Sequence, residues 1–126
     1  WADLANYLIK THTLTVVIPF GNDKEKEDSL TIKELVKSPY ALVPEKKLDY
    51  KSLFSLISNA EFVFGVDTGL IHLANALNKK LVAIYVDTDP NQTGVFTSDI
   101  AKNIGGKNAP PTLKQIINTY ETIQKT

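Results

Sequence analysis

The residues with the clearest chemical potential lie together at positions 65–72, in the order Gly-Val-Asp-Thr-Gly-Leu-Ile-His. Apolar residues precede this stretch and helical spacing follows it, so we expect a strand, a short turn and the start of a helix. The first amides of a helix lack internal partners and the helix dipole favours negative charge, so the turn suits a phosphate group. Gly69 would allow close approach to the backbone, Thr68 adds a hydroxyl, and His72 projects back towards the helix start.

A purely structural role accounts for the same residues. In that role Asp67 and Thr68 only cap a helix, and His72 forms a hydrogen bond at the surface. Residue spacing alone does not decide between anion binding and capping.

The elements that would position this turn alternate along nearly the whole chain. Apolar or β-branched runs predict strands at 14–18, 40–43, 62–66 and 81–86. Helical spacing predicts helices at 30–36, 50–57, 69–77 and 113–124, with Asp49 and Thr112 as N-caps. The inner stripe of the helix at 69–77 is expected to consist of Leu70, Leu73, Ala74 and Leu77. A turn-rich loop is expected at 87–94, and no regular element is predicted from there to residue 106.

This alternation predicts a Rossmann-like α/β fold, with a parallel sheet covered by helices on both faces. The 126 residues suit a single domain. Ligands of such sheets bind outside the carboxyl ends of the strands, so the loops after Ile18, Val43, Val66 and Val86 are the places to search.

Composition excludes several classes of function. Fourteen basic residues balance fourteen acidic ones, so no net field would draw the chain to nucleic acid or to an anionic membrane. The chain has no cysteine, which excludes disulfides and thiolate chemistry. No apolar run approaches the roughly 20 residues that span a bilayer. Because the chain has no methionine and opens in a helical pattern, we expect it to be a fragment of a longer polypeptide.

The segment 67–72 closely resembles the Asp-Thr-Gly-X-X-His motif of the heptosyltransferases that build the lipopolysaccharide inner core. The resemblance continues at Ile18-Pro19-Phe20-Gly21 with its acidic cluster, at Leu48-Asp49-Tyr50 and at Thr88-Asp89-Pro90. It covers the chain down to about residue 96. Four motifs in the same order and spacing are a far more specific signal than any one of them.

The resemblance implies a glycosyltransferase of the two-lobed GT-B architecture, whose first lobe holds the acceptor and whose second holds ADP-heptose. Residues 1–126 would then form an N-terminally truncated C-terminal lobe. The implied reaction is inverting transfer of heptose to a lipid A–Kdo acceptor held by the other lobe. The general base belongs to that lobe, so we expect no catalytic residue and no turnover in this chain. The resemblance also implies a cytoplasmic enzyme, with the full-length protein peripheral to the inner membrane.

The resemblance assigns the donor site residue by residue. Thr68, Gly69 and His72 correspond to ligands of the diphosphate, and Asp67 to a carboxylate close to the sugar and phosphates. We see no carboxylate pair arranged for a divalent ion, so neither a metal nor a cofactor is expected.

Two further residues would bind the nucleoside. Glu25 falls where the family places an acidic side chain on the ribose hydroxyls, and Leu48 where an apolar side chain packs on adenine. Each has a structural alternative. Glu25 lies in the charged run 23–28, which could be a solvated helix face, and Leu48 could be a hydrophobic staple ahead of its helix. His12 is given no functional role.

The chain departs from the family pattern where Val86-Asp87 precedes Thr88-Asp89-Pro90, which adds negative charge near the expected pyrophosphate. Lys79-Lys80 also replaces a more usual join that contains proline. Two alternatives remain open: a GT-B donor lobe for another nucleotide sugar, and a non-catalytic α/β interaction domain. A dinucleotide-binding oxidoreductase is disfavoured, because no strand is followed by Gly-X-Gly-X-X-Gly.

Overall fold

The computed structural model describes residues 1–66, 69–85, 98–106 and 109–125. In chain order the described elements are α1 (Ala2–His12), β1 (Val16–Val17), α2 (Asp23–Val36), β2 (Ala41–Leu42), α3 (Tyr50–Ser58), β3 (Val63–Val66), α4 (Gly69–Ala76), β4 (Leu81–Tyr85), β5 (Ala101–Gly105) and α5 (Leu113–Gln124). The chain divides into two compact units, Trp1–Leu53 and Phe54–Thr126, with the division inside α3.

The first unit is built on a parallel pair of short strands. β1 and β2 pair with Val16 opposite Ala41 and Val17 opposite Leu42. Ala41 is fully buried and packs with Ala5 of α1 and Val36 of α2. The two helices therefore cover one face of this strand pair. Because the strands are parallel, the loops after β1 and β2 lie at the same end of the unit.

The second unit contains a three-stranded parallel sheet in the order β3-β4-β5. All five residues of the central strand β4 are buried, as its continuous apolar sequence predicts. Leu81, Ala83 and Tyr85 pack in a core that includes Ile71 and Ala74 of α4. The remaining two residues, Val82 and Ile84, pack with Ile116 and Ile123 of α5.

Helices thus cover both faces of the second sheet, and every described strand pairs in parallel. The predicted α/β class with parallel sheets is confirmed. The prediction of a single domain over residues 1–126 stays a prediction.

Aromatic packing holds α5 against β3, an edge strand of the second sheet. The ring of Tyr120 lies 4.7 Å from that of Phe62 and 5.7 Å from that of Phe64, centroid to centroid. Such tilted ring pairs add attraction beyond the apolar area they bury. At its other end, α5 begins with a capping box between Thr112 and Gln115, as the Pro-Pro-Thr sequence predicts.

Three details of the sequence prediction were wrong. Residues 101–105 form β5, where no element was expected. The helix expected at 30–36 begins seven residues earlier, at Asp23, because Asn22 caps a polar first turn. Leu70, expected on the inner stripe of α4, is 37% exposed, whereas Ile71 beside it is buried.

Among the helices that the structure describes, none is both long enough and apolar enough to cross a lipid bilayer.

Candidate functional site

The strand and the helix on either side of residues 67–68 are present as the sequence predicts. β3 ends at Val66 and α4 begins at Gly69, at the carboxyl end of a parallel strand. The helix start therefore lies at the edge of the sheet where α/β proteins hold their ligands. Asp67 and Thr68, the two residues between these elements, lie outside the described residues.

His72 lies in the first turn of α4 and is exposed. Its neighbour Ile71 is buried at 1% exposure, so the helix is anchored by one side chain while the next faces solvent. An imidazole can donate or accept a hydrogen bond, and one placed at a helix start is available to an anion there. The geometry is compatible with the predicted diphosphate role, which stays a prediction.

Gly65 has a structural role that the sequence analysis did not assign. A Cβ atom at this position would collide with Cγ2 of Ile71, so β3 and α4 approach each other more closely than any larger residue allows. A glycine inside a strand pattern is the sequence signal for such a close approach. Gly65 therefore fixes where the first turn of α4 lies relative to the end of β3.

Glu25 takes part in the first turn of α2. Its carboxylate accepts hydrogen bonds from the Gly21 N–H at 3.0 Å and from the Asn22 side-chain amide at 2.9 Å. The Asn22 side chain in turn accepts from the Glu25 N–H at 2.8 Å and so caps the helix. The Glu25 carboxylate is thus held in place at an exposed helix start, so the alternative of a solvated helix face stays open beside the ribose role. A carboxylate has more acceptor positions than these two bonds use, so the exposed group can still accept from a ligand hydroxyl.

Leu48 is half-buried and directly precedes the cap of α3. The Asp49 carboxylate accepts from the Ser52 N–H at 2.7 Å, which confirms the predicted N-cap. This bond from the backbone, together with one from the Ser52 hydroxyl, lowers the pKa of the Asp49 carboxyl below its ordinary value. Leu48 and Leu53 occupy the two positions of a hydrophobic staple, so that alternative stays open beside adenine contact.

The structure distributes the predicted site residues over both units. Glu25 and Leu48 belong to the first unit, and Gly69 and His72 belong to the second. Within each unit they follow the carboxyl ends of parallel strands. Across the described ranges no three His, Asp or Glu side chains are grouped as metal ligands would be.

The second unit also has an open depression of about 590 Å³ at the end of β5. It is lined by Ile104, Gly105, Ala109, Pro110, Gln115, Asn118 and Thr119. Of the predicted site residues that the structure describes, none lines it.

Comparison with known proteins identifies the family. The sequence model of glycosyltransferase family 9 (heptosyltransferase) matches residues 1–120, which is nearly the whole chain. The chain belongs to glycosyltransferase family 9. This result confirms the resemblance on which the residue assignments rest.

Curated relatives within the family are lipopolysaccharide heptosyltransferases. The chain is 29% identical over 96 residues to lipopolysaccharide heptosyltransferase 1 of Escherichia coli K12, covering 76% of the chain and 29% of the relative. The enzyme of E. coli strain RS218 matches at the same identity over 28% of its length. The chain therefore spans less than a third of the curated relatives that it matches.

Solved structures agree with this family. The E. coli heptosyltransferase WaaC with ADP superposes with a TM-score of 0.76 at 26% identity, covering 99% of this chain and 38% of that one. The same enzyme with ADP-2-deoxy-2-fluoro heptose gives a TM-score of 0.73 at 24% identity, over 99% of this chain and 36% of that one. The second likeness supports the fold alone. Both show that the described α/β architecture is found in an E. coli heptosyltransferase.

Proposed function

We propose that this family 9 chain is the donor-binding lobe of an inverting heptosyltransferase of GT-B architecture, and that it binds ADP-heptose. The observation that carries the proposal is the start of α4 at the carboxyl end of β3, with Gly65 packed on Ile71 and His72 exposed in the first helical turn. Such a helix start offers free amides and a favourable dipole to a diphosphate. The ADP bound to the similar WaaC structure supports the same ligand class.

In the proposed complex the predicted site residues bind different parts of the donor. Gly69 and His72, with Thr68, donate hydrogen bonds to the diphosphate, while Asp67 lies close to the sugar. The Glu25 carboxylate accepts from the ribose hydroxyls, and Leu48 packs on the adenine ring. The polar groups would fix the orientation of the donor, and the apolar contact would favour a flat purine base.

The chemical step follows from this arrangement. The acceptor hydroxyl oxygen attacks the anomeric carbon, the bond from that carbon to the diphosphate oxygen breaks, and ADP leaves with the electron pair. Fixed donors at the α4 start stabilise the negative charge that develops on the diphosphate, which is an electrostatic contribution to catalysis. The hydroxyl proton passes to a general base that we place outside these 126 residues.

We further propose that the acceptor is lipid A–Kdo in the inner core of lipopolysaccharide and that a separate lobe binds it. Curated relatives named lipopolysaccharide heptosyltransferase 1 support this acceptor class. The whole enzyme would then work at the cytoplasmic face of the inner membrane. Because acceptor binding and the base belong to the other lobe in this scheme, the chain alone should bind donor without transferring heptose.

The decisive experiment is a calorimetric titration of the chain with ADP, UDP and GDP, followed by ADP titrations of two histidine variants. His72→Ala should weaken ADP binding about tenfold, the effect of losing one hydrogen bond to a charged group. His12→Ala is the matched control, because His12 contacts Tyr7 at 3.2 Å within α1 and has no assigned ligand role. It should leave the ADP affinity unchanged.

Each contrary outcome has a distinct meaning. A preference for UDP or GDP would refute ADP-heptose while retaining a donor lobe for another nucleotide sugar. Equal effects of the two histidine substitutions would remove His72 from the site. Absence of binding to any nucleotide, by the chain and by the whole natural protein, would favour a non-catalytic interaction domain.

A further inference from the structure

Lys26 differs from its neighbours in the charged run at the start of α2. The other five residues at positions 23–28 are exposed, whereas Lys26 is half-buried. Its ammonium group donates a hydrogen bond of 3.3 Å to the Glu45 carbonyl and lies 5.5 Å from the centroid of the Phe20 ring. Lys26 is therefore a structural contact within the first unit, not a solvated charge.

The two contacts of Lys26 lie on two different loops. Phe20 follows β1, and Glu45 follows β2. The strand pairing continues beyond β1, since the Ile18 N–H donates to the Leu42 carbonyl at 2.8 Å, so both loops leave the sheet at the same end. One ammonium group thus connects the loops at the ligand-binding edge of this unit.

Both residues that are proposed to bind the nucleoside lie on these loops or at the start of α2. Glu25 immediately precedes Lys26, and Leu48 lies three residues after Glu45, a distance of at most about 11 Å along an extended chain. The Lys26 contacts accordingly limit the separation between the Glu25 carboxylate and the Leu48 side chain. A site whose parts are already held in place loses less conformational entropy when its ligand binds.

Building on the proposed function, we propose that Lys26 is a positioning residue for the nucleoside half of the donor. It does not touch the ligand. A lysine ammonium group has three donors, so it can bond a carbonyl and face an aromatic ring at once. Lys26 holds the loop that leads to Leu48 against the helix turn that bears Glu25.

The test compares the same substitution at two lysines of α2 that lie two residues apart. Lys26→Met keeps the apolar stem and removes the ammonium group. Lys24→Met does the same to an exposed lysine that pairs with Asp28 at 3.1 Å. Both variants are titrated with ADP, which has a nucleoside, and with inorganic pyrophosphate, which has none. Lys26→Met should weaken ADP binding about fivefold, as expected for one hydrogen bond, and leave pyrophosphate binding unchanged. Lys26→Arg should restore ADP affinity, and Lys24→Met should not change it.

The outcomes separate this inference from the proposed function. If neither the unsubstituted chain nor the whole natural protein binds ADP, both are overturned. If ADP does bind and Lys26→Met binds it equally well, the positioning role is wrong and the function stands. Equal losses for ADP and pyrophosphate would show general damage and also overturn the positioning role. Should Lys26→Met fail to fold, Phe20→Leu tests the same contact, with a smaller selective loss of ADP affinity expected.

Discussion

Gly65 and Ile71 are packed so closely that a single added methyl group on Gly65 would overlap the Ile71 side chain. Ile71 is itself buried against β4, so it cannot move aside without disturbing that core. This contact couples the end of β3 to the first turn of α4. The proposed diphosphate site therefore depends on a packing requirement as well as on the groups that would bind the anion.

The first prediction concerns this contact. Gly65→Ala should destabilise the chain by about 1–3 kcal/mol, the usual cost of inserting a methyl group into a packed core. It should also weaken ADP binding by displacing α4. Gly106→Ala is the control, since a Cβ at Gly106 would meet no atom within 4 Å. Urea unfolding curves of the two variants give the comparison, and equal midpoints would contradict the close-packing argument.

A second prediction tests the ribose role of Glu25. Glu25→Ala should weaken ADP binding, but it also removes the bonds to Gly21 and Asn22 that order the helix start. Titration with 2′,3′-dideoxy-ADP separates these effects, because that ligand lacks the hydroxyls that Glu25 would bind. A loss of about tenfold for ADP alone is expected for a bond to a charged group. Equal losses for both nucleotides would assign Glu25 to helix capping only.

The third prediction is a pH dependence that originates in Asp49. Hydrogen bonds from Ser52, chiefly from its backbone N–H, lower the pKa of the Asp49 carboxyl in the folded chain. A lowered folded-state pKa adds stability above the unfolded-state pKa of about 4, and this stability is lost as the pH falls through the folded value. Asp49→Asn keeps a capping oxygen without this titration. The stability difference between the two proteins should be constant near neutral pH and vanish in acid.

Ser52→Ala provides the control for this measurement. It removes the hydroxyl but retains the backbone donor, so most of the pH dependence should persist. Thermal unfolding at several pH values would measure all three proteins. An unchanged difference between Asp49 and Asn in acid would show that the carboxylate does not stabilise the helix start.

The fourth prediction concerns the capping box of α5. The Thr112 hydroxyl accepts from the Gln115 N–H at 3.2 Å, and the Gln115 side chain accepts from the Thr112 N–H at 2.8 Å. Thr112→Ala should cost about 1 kcal/mol of unfolding free energy, the typical value for a lost N-cap. Thr122→Ala, an exposed threonine in the same helix, should change it far less. Equal destabilisation by the two substitutions would argue against the cap.

Local signals in the sequence predicted several elements of both units well. Continuous apolar residues gave β3 and β4, and side-chain oxygens gave the starts of α3 and α5 at Tyr50 and Leu113. These features depend on residues close together in sequence. The family motif likewise lies within one strand-turn-helix unit.

The missed elements depend on partners far along the chain. β5 contains Lys102 and Asn103, and of its five residues only Ala101 is buried, so it has no apolar pattern of its own. It forms a strand because its backbone pairs with β4 along its whole length. The contacts of Lys26 were not predicted for the same reason, since its partners Phe20 and Glu45 are identified only by the fold.

The alternation of side chains along β4 has a consequence for chain length. Residues 81, 83 and 85 pack in one core and residues 82 and 84 pack in the other. Both cores therefore require that each residue of β4 keeps its place in the alternation. Inserting one residue between Lys80 and Leu81 would exchange the two sets, because strand side chains alternate with a period of two. Ile84 would then occupy the space shaped for Tyr85. The loops before and after β4 can vary in length only if each residue of the strand still faces the same side of the sheet.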